Sequence, residues 1–95
     1  MRLYTNPDDI ESVDPTALYT WCADGESIVF FFDEMPYDGS LCVVHKGNVM
    51  RNTQLVEEIT DGRKAILFDT PPERGAMLYL LIANPKEVED RAGAY

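Results

Sequence analysis

Chemistry at this chain's disposal is sparse. Its one histidine, His45, stands beside Lys46 at the end of an apolar run. Ser27, Ser40 and Asp38 supply the other residue types of a Ser-His-Asp relay. No serine lies in a Gly-x-Ser-x-Gly elbow, however, and nothing marks a nucleophile. Carboxylates come in adjacent pairs, Asp8-Asp9, Asp33-Glu34 and Glu57-Glu58. Glycosidase-type acid–base work needs two of them facing each other across a cleft, and adjacent acids on a strand point to opposite faces. Glu57-Glu58 reads instead as a charged edge that discourages stray pairing. The loop Asp33 to Gly39 concentrates three acids that could hold calcium, yet it lacks the alternating acids, central glycine and distal glutamate of the helix-loop calcium pattern. Phosphate-cradling glycine motifs are absent. Cys22, Cys42 and His45 are three soft ligands whose spacing matches no paired-cysteine zinc pattern. The two thiols are expected free and buried, in a reducing compartment. A Cys22–Cys42 disulfide would require their strands to be neighbours. The expectation is a non-enzymatic chain without catalytic residues, metal or cofactor.

The elements that would position these residues read as strands. From Ala17 onward, short apolar runs rich in Val, Ile, Phe and Tyr alternate with turn signals, as in all-β domains. The runs are Ala17 to Cys22, Ser27 to Phe32, Ser40 to His45, Asn48 to Met50, Gln54 to Thr60, Lys64 to Phe68 and Ala76 to Ala83. The punctuation is Asp24-Gly25, Asp38-Gly39, Lys46-Gly47-Asn48, Asp61-Gly62 and Pro71-Pro72 before Gly75, with Asp61-Gly62 the sharpest hairpin cue. Residues 1–16 read as an irregular arm: Asn6-Pro7-Asp8-Asp9 and Val13-Asp14-Pro15 are turn chemistry, and any short helical turn after Asp8 would stop at Pro15. Residues 85–95 read as a polar tail or short helix. The fold expected is a small antiparallel β-sandwich of six or seven strands over residues 17–84, between that arm and tail.

Two strands are apolar on both faces. In the run Ile28 to Phe32, Ile28, Phe30 and Phe32 point one way while Val29 and Phe31 point the other; Met77 to Ile82 behaves likewise. A half-buried strand should alternate apolar with polar. Either a second layer covers the outer faces or another chain does, because soluble monomers avoid large apolar patches. Self-association or a neighbour is the expectation; the N-terminal arm folding back is the alternative.

Seventeen acids against eight bases give a net charge of −9 over 95 residues. That sign repels phosphate backbones, so nucleic acid is not an expected partner. No apolar run approaches a membrane span and no secretory leader is visible, so no membrane role is expected. Residues 1–45 carry nine of the acids and one base, while residues 46–95 carry eight acids and seven bases. Such an acidic half is either a solvated surface or a face for a basic partner.

From Leu18 to Ile82 the chain resembles a small β-sandwich module found at the virion-attached end of bacteriophage tail fibres and tailspikes. The matching pieces, in order, are Tyr19-Thr20, Asp24-Gly25, Val29-Phe30, Met35-Pro36, Leu41 to Val44 with Gly47, Val56 to Ile59, Ala65 to Phe68, Pro71-Pro72 with Gly75, and Met77 to Ile82. In fibres the module precedes a long receptor-binding shaft, whereas this chain stops at Tyr95, like a standalone copy. The resemblance implies a virion structural protein, a fibre-anchor-like adaptor or a capsid or tail decoration subunit. It implies non-covalent contacts with other virion proteins and with itself, as a trimer or ring, and a location in the virion, with host cytoplasm during assembly. It carries over no catalytic residue.

Candidate contact residues are Leu3, Tyr4, Ile10 and Val13 in the arm, which could order on a neighbour, and the aromatics Trp21, Phe31 and Tyr37. For Trp21, core packing is an equal alternative. A second reading is a small acidic phage inhibitor that blocks a host nucleic-acid or defence enzyme through the negative N-terminal half. Salt separates the two: charge-driven binding weakens steeply with ionic strength and apolar assembly does not.

Overall fold

The computed structural model describes residues 1–32, 39–57 and 64–86. Its strands are β1 (Arg2–Leu3), β2 (Ile10–Cys22), β3 (Val29–Phe32), β4 (Ser40–His45), β5 (Asn48–Val49), β6 (Thr53–Val56), β7 (Lys64–Phe68) and β8 (Met77–Pro85). They form two sheets, one of order β1-β4-β8-β2 with β5 added to β4, the other of order β3-β7-β6. The all-β sandwich-like class holds. All pairings are antiparallel except that of β1 with β4, which is parallel.

The sheets face each other across one core. Phe30 and Phe32 of β3 with Ile66 and Phe68 of β7 meet Leu41 and Val43 of β4 and Leu78 and Leu80 of β8. Their alternation along each strand is what the strand period dictates for one buried face. Aromatic edges fill the space: Phe30 meets Phe68 at 5.2 Å between ring centroids, and Trp21 meets Phe30 at 5.9 Å and Phe32 at 6.2 Å.

A second core lies on the other face of the larger sheet. Cys42, Val44, Leu81 and Ala83 are buried there together with Ile10, and Tyr4, Val13, Val49 and Tyr79 pack against them. This is where residues 1–16 depart from the irregular arm expected of them. Arg2 and Leu3 pair with Ser40 and Leu41, one turn of 3-10 helix follows at Pro7–Asp9, capped by the Asn6 side chain, and β2 begins at Ile10. The turn residues Asp14 and Pro15 sit inside that strand, within a register shift between Val13 and Ala17, where Asp14 Oδ1 accepts from the Thr16 amide at 2.9 Å. β2 is an edge strand, so a proline without an N–H is tolerated at a bulge. At the other end, β8 runs on to Pro85, which pairs with Ile10. The sandwich thus spans residues 2–85 rather than 17–84. The expected tail or helix over 85–95 lies outside the described residues beyond Lys86, as do the Asp61-Gly62 turn and the Asp33–Asp38 loop. On either side of residues 57–63, β6 and β7 pair antiparallel with Val56 opposite Ala65.

Candidate protein-contact surface

β3 presents its side chains alternately. Phe30 and Phe32 are buried in the inter-sheet core, while Val29 and Phe31 are 39% and 40% exposed on the outer face. Register extends this face across the small sheet: Val29 stands beside Leu67 and then Gln54, and Phe31 beside Ala65 and then Val56. Ala65 is fully covered between its larger neighbours, and Leu67 and Val56 are half-buried. Ile28, just before β3, is exposed as well. The result is an apolar strip with Gln54 as its polar member in these two rows.

Trp21 fixes the edge of that strip. Its indole Nε1–H donates to the Phe31 carbonyl at 2.8 Å, and its ring lies against Phe30 and Phe32. β2 and β3 are edge strands of different sheets, so one side chain ties the sheets together. Of the two readings for Trp21, the structure realises core packing.

The other sequence-derived contact residues divide. Leu3 is half-buried against the inter-sheet core. Ile10 is buried, and Tyr4 and Val13 half-buried, in the second core. These four side chains are packed on the protein's own sheets, which corrects the picture of an arm left to order on a neighbour. Phe31 is exposed as expected, and Tyr37 lies outside the described residues. Val29, Leu67 and Val56 were missed. The parity of Val29 with Phe31 was a sufficient signal for the first, but the choice of aromatics alone passed over it.

The polar groups are engaged locally. The Ser27 hydroxyl donates to Asp24 Oδ2 at 2.9 Å, and Asp24 Oδ1 accepts from the amides of Glu26 and Ser27. These bonds, led by the one from the Ser27 amide, lower the Asp24 pKa from 3.8 to about 2. Ser40 and His45 occupy opposite ends of β4. Cys22 is exposed and Cys42 buried, both as free thiols, so only Cys42 has the burial expected. Desolvation pushes the Cys42 thiol up to about 11. Among the described residues no three His, Cys, Asp or Glu side chains are grouped to hold a metal ion. No protein family, curated protein or solved structure matches the chain.

Proposed function

We propose that this protein is a non-enzymatic structural component of a phage virion, a fibre-anchor-like adaptor or a capsid or tail decoration subunit that works through protein–protein contacts. The observation that carries the reading is the apolar strip of Val29, Phe31, Leu67 and Val56 on the outer face of the small sheet. Hydrophobic contact over such a strip drives association. Tyr4, Ile10 and Val13 shelter the Leu81 and Ala83 end of the larger sheet, so the assembly contact is placed on the β3-β7-β6 face. The ordered resemblance from Leu18 to Ile82 supplies the virion context.

The test is the composition of purified particles from an infection in which the chain is made. Quantitative mass spectrometry is expected to find it at many copies per particle. Val29→Glu with Phe31→Glu is expected to leave a folded protein that is missing from particles. A folded wild-type chain absent from particles, bound instead to a basic host enzyme in a salt-sensitive manner, would replace this reading with that of the acidic inhibitor.

A further inference from the structure

A second surface lies on the larger sheet, independent of the β3 strip and of the virion reading. Met77, Tyr79, Leu81 and Ala83 share the outer face of β8 by their alternation. Ile10, Tyr4 and Val13 pack with the Leu81 and Ala83 end of this face. At the other end Met77 remains 39% exposed and Tyr79 is half-buried. Over that uncovered end opens a depression of about 340 Å³, walled by Met77 and Tyr79 and rimmed by His45, Lys46, Glu73 and Arg74. In a chain of net charge −9, its only histidine and two of its eight bases meet there.

Each of the three is held in place. Lys46 and Gly47 form the two-residue turn between β4 and β5, with φ of 53° and 78°. Such a turn favours Asn or Gly at its first position, and a lysine there sets local strain against the placement of a cation. Arg74 is seated by its neighbours: a Cβ on Gly25 would come within 3.0 Å of the Arg74 Cβ, and the Gly75 amide donates to the Ala23 carbonyl at 2.8 Å. His45 Nδ1 lies 3.0 Å from the Met77 carbonyl; a carbonyl only accepts, so Nδ1 carries the proton. Glu73 on the rim, and Asp24 and Glu26 on the turn against Arg74, disfavour a multiply charged phosphate. A single carboxylate suits the two cations, and an apolar neighbour suits Met77 and Tyr79.

We infer that this depression binds an acidic side chain together with an adjoining apolar residue, presented by a segment of a partner protein. The test titrates the isotopically labelled full chain with the peptide acetyl-Glu-Leu-amide, its Gln-Leu analogue and inorganic phosphate, followed by amide NMR shifts. The acidic peptide is expected to move the amides of Lys46, Gly47 and Arg74 to Met77 in a saturable way. The Gln analogue should bind about tenfold more weakly, as loss of charge-assisted bonds requires. Lys46→Asn is expected to weaken the peptide while raising the melting temperature, whereas a lysine of merely structural use would change the temperature alone. Equal binding of the two peptides, phosphate displacing the peptide at equal concentration, no shifts at these amides, or full peptide affinity in Lys46→Asn would each overturn the inference.

Discussion

Trp21 is the sole tryptophan, and its indole joins β2 to the backbone of β3. Trp21→Phe keeps most of the ring packing and removes the Nε1–H bond. It is expected to cost about 1–2 kcal/mol, read as a lower urea midpoint with an unchanged slope. The thiols give a second residue-scale expectation. Cys22 should react with a thiol reagent in the native protein and Cys42 only after unfolding, so labelling rises from one group per chain to two. The buried thiol also sets an alkaline limit. The unfolded cysteine ionises near 9.0 and the folded one near about 11, so stability conferred by the neutral thiol is present below 9 and is lost as pH rises through 11. Asp24 acts at the other end of the scale. Its folded pKa lies below its ordinary value of 3.8, so its contribution is present above that pH and is lost as pH falls through about 2. Asp24→Asn should flatten the stability curve over that interval, measured by denaturant titration at stepped pH. The Asp24-Gly25 turn was legible in the sequence because it depends on near neighbours, and the burial of Cys42 because it lies within the apolar run Ser40 to His45, although Ile10, Leu81 and Ala83 complete its cover. The exposure of Cys22 was not, because it depends on which strand forms the sheet edge.

At the scale of elements, turn chemistry and strand period located β3, β4, β7 and most of β8 within a residue or two. They failed at β2, where Asp14-Pro15 marked a boundary. Proline forbids one ladder bond but does not end an edge strand when a bulge absorbs it, and edge position is a tertiary property. The turns now carry sharper expectations. Gly25→Ala meets both a φ of +84° and the Arg74 Cβ at 3.0 Å, and should destabilise by about 1–2 kcal/mol. Lys46→Asn relieves a positive φ at the β4–β5 turn, and should stabilise by about 0.5–1 kcal/mol in the same unfolding measurement. Gly75, also at positive φ, has open space where a Cβ would sit, so Gly75→Ala meets backbone strain without the contact found at Gly25.

On the scale of the whole molecule, one sheet lies between two cores. The sequence showed that β8 is apolar on both sides and left open whether a neighbour or the N-terminal arm folding back would cover it; at the Leu81 and Ala83 end it is the arm. The answer depends on Tyr4, Ile10 and Val13 meeting residues more than thirty positions away. Ile10→Ala is therefore expected to cost about 2–4 kcal/mol and to open Cys42 to thiol reagents before global unfolding, seen as a faster labelling rate at low denaturant. The small sheet has no comparable cover among the described residues, and its Val29 and Phe31 stay exposed, which is why the proposed partner contact is placed there.

The strand order has a temporal side. β8 is wedged between β4 and β2, yet the ribosome makes it after both. Until Pro85 has left the exit tunnel, the long N-terminal ribbon has nothing to zip against and its greasy flanks stay bare. Such late closure of distant pairings slows folding and invites clumping, so nascent copies should lean on holdase chaperones until β8 has emerged.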